Sequence, residues 1–159
     1  MKTQDFRTIC GQFATGVAVI TTTHKGQHYG LTVNSFTSVS LEPPLVLFCV
    51  DRQARFNEPA QQSGVVAINF LKEHQKELSN RFANPKLSTA ERYDGVSLTK
   101  ENPAPVLADT LAHLECTIEA VHAGGDHHIY VARVNSGGFT QGAPLLYYGG
   151  SYRSVMSQS

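Results

Sequence analysis

The strongest constraint on the fold lies in residues 30–50, GLTVNSFTSVSLEPPLVLFCV. The stretch begins as a strand pattern and passes through a run of small hydroxyl residues. It then crosses Pro43-Pro44 and ends in a short, continuous apolar run. No helix can pass through it, because the prolines remove backbone donors and push the residue before them into extended conformation. The centre of the chain is therefore committed to β structure, with residues 45–51 as a buried strand. Read as one strand, alternation places Thr32, Asn34 and Phe36 on one face and Val33 and Ser35 on the other.

The rest of the chain is consistent with that commitment. Residues 3–14 carry Phe6, Ile9, Cys10 and Phe13 at helical spacing, which predicts a short amphipathic helix stopped by Gly16. Residues 17–23 (VAVITTT) are β-branched and predict a strand. A hairpin turn at 24–27 returns the chain as a second strand over 28–33. A short helix over 55–62 ends near Gly64, and a strand follows at 65–70. Residues 73–83 predict a helix with Leu78 and Phe82 inward. Residues 84–105 hold three prolines and a Tyr-Asp-Gly turn, and predict a long surface excursion with one strand at 96–99. Strands at 113–122, 129–135 and 145–148 complete the pattern, the first two joined by Gly124-Gly125-Asp126. Many short strands linked by hairpin-length turns predict one mainly β domain over 1–159. Its architecture is expected to be a closed or partly closed antiparallel barrel with a few peripheral helices.

Composition excludes several functions. Thirteen Lys and Arg balance thirteen Asp and Glu. There is thus no basic excess to draw nucleic acid or a membrane surface. No apolar run approaches the roughly 20 residues of a spanning helix. The N-terminus has no uninterrupted apolar core, so cytoplasm is the expected compartment. Cys10, Cys49 and Cys116 are odd in number and widely spaced, unlike a disulfide framework or zinc knuckle. The glycine-rich dinucleotide fingerprint, the P-loop, the zinc-protease helix and the nucleophile elbow are all missing from the sequence.

Several groups carry chemistry. Small side chains between Thr32 and Ser40 let backbone groups approach a ring edge-on, and the hydroxyls can cradle an anion. The same residues also suit an exposed edge strand. Arg52 and Arg55 flank a strand-to-helix junction, where a guanidinium fork matches phosphate oxygens. Alone, they read as solvated surface charges. Gly125-Asp126-His127 places an imidazole at a barrel rim. His127 and His128 point to opposite faces and cannot chelate one metal together, so no metal site is expected. Tyr147, Tyr148 and Tyr152 sit beside glycines and can stack on a planar ligand. For Tyr147 a core position is the favoured reading.

Taken in order, these features resemble the short-chain flavin reductase family, the NAD(P)H:flavin oxidoreductase components of two-component flavin monooxygenases. The matching segments are Phe13-Ala14-Thr15-Gly16-Val17, then Thr32 to Ser40 with Pro43-Pro44-Leu45-Val46-Leu47. They continue through Gln75, Leu78-Ser79, Phe82-Ala83, Leu114-Glu115-Cys116, Gly125-Asp126-His127 and Pro144-Leu145. The resemblance implies a Greek-key FMN-binding split barrel, a homodimer, and an oxidoreductase that moves hydride from NADH or NADPH to FMN or FAD. It implies a monooxygenase partner that receives the reduced flavin. It places Thr32, Val33, Asn34 and Ser35 along the flavin ring and ribityl chain, with Ser38, Ser40, Arg52 and Arg55 near phosphate. Cys49, Asp51 and Tyr152 would line the pocket, Phe82 and Ala83 would close its side, and His127 would lie near the nicotinamide. Ala54 departs from the family, where many relatives carry Ser, leaving phosphate to backbone amides and arginines. The alternatives are a non-enzymatic flavin-binding module and a pyridoxamine-phosphate-oxidase-like flavoprotein. The latter needs a second basic cluster that the sequence lacks.

Overall fold

The computed structural model describes residues 1–155. In chain order it comprises α1 (Thr3–Cys10), β1 (Thr15–Gly16), β2 (Ala18–His24), β3 (Gln27–Val33), β4 (Thr37–Leu41) and β5 (Pro44–Asp51). Next come α2 (Asn57–Ser63), β6 (Val65–Phe70), a 3-10 turn (Glu73–Gln75), α3 (Lys76–Ala83) and α4 (Thr89–Tyr93). Then follow β7 (Leu98–Lys100), β8 (Val106–Leu107), β9 (Ala112–Gly124), β10 (His127–Phe139), β11 (Leu146–Tyr148) and β12 (Ser151–Arg153).

Seven strands form an antiparallel sheet in the order β3-β2-β6-β9-β10-β5-β4. Three of its six pairings, β2–β3, β4–β5 and β9–β10, are local hairpins, and the other three join strands distant in sequence. Lys25 (φ 50°) and Gly26 (φ 73°) make the two-residue turn between β2 and β3. Such turns match the right-handed twist of the flanking strands. Gly125 (φ 66°) does the same between β9 and β10, where Gly124 pairs with His127. Among the described residues the sheet keeps two edges, β3 and β4, and is not a closed ring of paired strands.

The main core lies against this sheet and includes Ile20, Val46, Phe48, Val50, Val66, Ile68 and Tyr130, all buried. The rings of Phe48 and Tyr130 stack with centroids 5.0 Å apart. The buried Tyr130 hydroxyl keeps a polar partner by donating to Asn57 Oδ1 at 2.8 Å. A second cluster, with Val19, Leu71, Phe82, Leu107 and Leu145, seats α3 on the sheet. Buried Asn69 joins the layers: its Nδ2 donates to the Val19 carbonyl at 3.1 Å, and its Oδ1 accepts the Leu107 amide at 2.8 Å.

Three expectations need correction. The stretch at 32–36, read for its side-chain faces as one strand, breaks at 34–36, and the strands on either side, β3 and β4, lie on opposite edges of the sheet. The alternation drawn across it therefore does not hold beyond Val33. The first helix ends at Cys10 rather than near residue 14, and its apolar residues Phe6 and Ile9 are exposed, as is Phe13 beyond it. The excursion at 84–105 contains α4, started by a capping box in which Ser88 Oγ accepts the Glu91 amide at 3.2 Å.

Candidate functional site

The edge strand β3 is not left bare. Helices α3 and α4 cover it, and Phe82 and Tyr93 meet edge-to-face beside Gly30 with centroids 5.0 Å apart. This cover makes one side of a groove. One half, about 500 Å³, is lined by Thr32, Asp51, Arg55, Phe82, Ala83 and Arg92, among others. A second cavity, about 230 Å³, is lined by Thr32, Val33, Asn34, Ala83, Tyr147 and Tyr152. The two meet at Thr32 and Ala83. A third cavity of about 520 Å³ lies beneath α1 and shares Asn34 and Tyr147.

Buried Ser79 of α3 organises the junction. Thr32 Oγ1 donates to the Ser79 carbonyl at 2.7 Å, and the Ser79 hydroxyl bonds the Tyr152 hydroxyl at 2.7 Å. One residue thus fixes both the strand wall and the aromatic wall. The Tyr147 ring meets Tyr152 at 5.6 Å and packs partly on the second core, so its core reading and its place on the groove are both realised.

The positive end is built from two guanidinium groups. Arg55 donates from Nη2 to the carbonyls of Pro85 (3.0 Å) and Leu87 (2.7 Å). Arg92, on α4, donates from Nη1 to the Gly30 carbonyl (2.7 Å) and from Nη2 to the Asn84 carbonyl (2.8 Å). Burial presses the Arg92 pKa below its ordinary value, and the neighbouring Arg55 charge presses it further. Sequence reasoning missed Arg92 because it passed over the helix that carries it. The Ser88-x-x-Glu91 spacing is the signal that marks that helix.

The remaining expected residues fall into two groups. Val33 is buried in the main core as well as lining the groove. Ser35 Oγ donates to the Cys49 carbonyl at 3.1 Å and accepts the Cys49 amide at 2.9 Å, which clamps the broken strand onto β5. Burial raises the Cys49 thiol pKa, with the Ser35 contact opposing it. Asp51 Oδ1 accepts the Gln53 amide at 2.7 Å, and the Asp51 carbonyl accepts the Ala54 amide at 3.0 Å. Those two amides are therefore engaged within the turn, and the arginines remain the strongest anion donors there.

Ser38 and Ser40 lie on β4, at the edge opposite β3, and line neither half of the groove. Arg52 is exposed, and its amide donates to the Asp126 carbonyl at 3.0 Å, tying the β9–β10 turn to the end of β5. His127 pairs across the sheet with Asp51 and is half-exposed, outside both halves of the groove. Its Nδ1 bonds Asp126 Oδ1 at 2.7 Å, which holds the Asp126 carboxyl below the usual carboxylate range.

The donor set fits a flavin. Two guanidinium groups at one end suit a phosphate, and an apolar junction between aromatic walls suits a planar ring. Fold and groove together define a class: a mainly antiparallel β protein with a cation-ended groove along a helix-covered edge strand. The chain belongs to the flavin reductase like domain family, whose profile matches residues 10–156.

It is 40% identical over 153 residues to the reductase subunit HsaB of a flavin-dependent monooxygenase from Rhodococcus jostii. That alignment covers 94% of this chain and 76% of the relative. It is 37% identical over 152 residues to an NADH-dependent flavin reductase from Rhodococcus sp, covering 94% and 84% of the two chains. Among solved structures, the NADH:FAD oxidoreductase SgcE6 of Streptomyces globisporus, in complex with NAD and FAD fragments, superposes with a TM-score of 0.89. It shares 35% identity, over 96% of this chain and 92% of that one.

Proposed function

We propose that the protein is an NADH-dependent flavin reductase that supplies reduced FMN or FAD to a separate flavin-dependent monooxygenase. The observation that carries this reading is the groove: an end lined by two arginines, a junction at Thr32 and Ala83, and tyrosines beyond, on a chain of this family. Flavin, when bound, accepts hydride from the nicotinamide, so the chemistry resides in the two cofactors.

The chain's own residues bind and orient. Arg55 and Arg92 hold the phosphate end. Thr32, Asn34 and Ala83 border the ring, while Phe82 and Tyr152 keep water from its sides. Ser79 holds Thr32 and Tyr152 in place through its two hydrogen bonds. His127, with Nδ1 engaged by Asp126, offers Nε2 for orienting the nicotinamide. Ser38, Ser40 and Arg52 stand outside the lining of the groove.

The sheet is proposed to curl as a split barrel, which the Ser35 clamp onto Cys49 supports. A homodimer is proposed as well. Its support is the exposed Phe6, Ile9 and Phe13, an apolar face at the N-terminus that a second copy would cover. No helix among the described residues is long and apolar enough to cross a membrane. A cytoplasmic site of action is part of the proposal.

The test is nicotinamide absorbance with purified protein, NADH and each of FMN, FAD and riboflavin. Rapid flavin-dependent oxidation is expected. Flavin binding without NADH oxidation would overturn the reductase reading in favour of a binding module.

A further inference from the structure

Arg55 and Arg92 reach the same half of the groove from different elements, and both hold the chain at residues 84–87. Arg92 takes the Asn84 carbonyl, and Arg55 takes those of Pro85 and Leu87. The partners of both guanidinium groups are neutral backbone carbonyls. The ion pairs among the described residues involve neither arginine. Asp51 is the acidic residue lining that half, and one of its oxygens already accepts the Gln53 amide.

Arg92 commits two of its five N–H donors to carbonyls, and its buried Nε has no partner. Arg92 is half-buried and Arg55 exposed, and the two positive charges outnumber the single carboxylate lining that half, Asp51. A phosphate carries a compensating charge and several acceptor oxygens, so it balances both.

We propose that Arg92 is the second cation of the phosphate end and makes the groove select phosphorylated flavins over riboflavin, an inference that rests on the flavin reading above. Riboflavin has the same ring and ribityl chain but no phosphate. It therefore separates a charge that meets the ligand from a strut that merely shapes the groove.

The experiment measures dissociation constants of riboflavin, FMN and FAD by fluorescence quenching. It uses the wild-type protein, Arg92→Gln and Arg92→Lys, each at two salt concentrations. Loss of a charge-assisted contact should weaken FMN and FAD by roughly ten-fold or more in Arg92→Gln, with riboflavin changed by less than about two-fold. The salt dependence of FMN binding should fall in the same variant. Arg92→Lys keeps the charge and should retain a preference for FMN over riboflavin.

If Arg92→Gln weakens all three flavins equally, or leaves the FMN-to-riboflavin ratio unchanged, the inference is overturned and Arg92 is a strut. If Arg92→Gln does not fold, Arg92→Lys decides. A lysine variant that loses the phosphate preference while still binding riboflavin refutes charge recognition, and one that keeps it supports it. Wild-type protein that binds no flavin at all would instead overturn the flavin reading.

Discussion

Gly30→Ala perturbs the groove from beneath its helical cover. Gly30 has no positive φ, so its backbone suits any residue, and the substitution is decided by space. Replacing a strand glycine by alanine would ordinarily stabilise by about 0.5–1 kcal/mol through reduced chain entropy. Here the added Cβ would stand 2.7 Å from Phe82 Cε1, 2.9 Å from Phe82 Cδ1 and 3.0 Å from the Tyr93 hydroxyl. Phe82 is only 1% exposed, so its ring cannot swing aside. Tyr93 is held as well, since its hydroxyl donates to the Tyr29 carbonyl at 2.9 Å. Overpacking of this kind costs about 1–3 kcal/mol. The cost exceeds the entropic gain, for a net destabilisation of about 1–2 kcal/mol. In a domain of this size that lowers the melting temperature by about 2–8 °C.

Relief must come from α3 and α4 lifting off β3, which displaces Phe82 and Ala83 and should weaken flavin binding as well. Thermal unfolding followed by circular dichroism, with flavin titration of the same variant, reads both effects. A variant as stable as the wild type or more so, with unaltered flavin affinity, would refute the claim that the helical cover and the groove wall are one rigid unit.

Ser35→Ala removes both contacts to Cys49 and should cost about 1–3 kcal/mol, because the part-buried Cys49 amide loses its acceptor; urea unfolding checks it. His127→Ala should raise the KM for NADH while leaving the flavin dissociation constant unchanged, as steady-state kinetics and fluorescence titration would show. Acid should destabilise the fold through Asp109, Asp126 and Glu115, whose carboxyl pKa values are lowered by hydrogen bonds from Lys72, His127 and Lys100 respectively. Folded values below the unfolded ones mean that this stabilisation is complete above the unfolded pKa and is lost as pH falls through the folded value. The melting temperature should therefore decline below about pH 4.5, and Asp109→Asn should flatten that decline.

Local chemistry made much of the architecture readable from sequence. The strand Val65–Phe70, the Lys25-Gly26 turn and the extended run after Pro43-Pro44 all follow from residue type. The edge-to-edge break at 34–36 was not readable, because nothing in Asn34-Ser35-Phe36 says which strand its neighbours will join. That choice is made by pairings with distant residues. Helix α4 was hidden by the prolines around it, although its capping box was in plain sight, and Arg92 was hidden with it. Tyr152 was found by its company of glycines. Its partner Ser79 matched the family pattern, but its two hydrogen bonds depend on the docking of α3, which spacing alone does not fix. The Gly-Asp-His turn was recognised as a feature, yet its place beside Asp51 at the groove's border emerges only from the strand order.

The break at 34–36 also acts as a tether. Laid flat, seven strands at about 4.8 Å spacing would hold β3 and β4 about 29 Å apart. From Val33 to Thr37 the backbone can reach only about 14 Å. The curvature of the sheet is thus a matter of chain length before it is a matter of packing. Lengthening the leash at 34–36 would let the two edges drift apart.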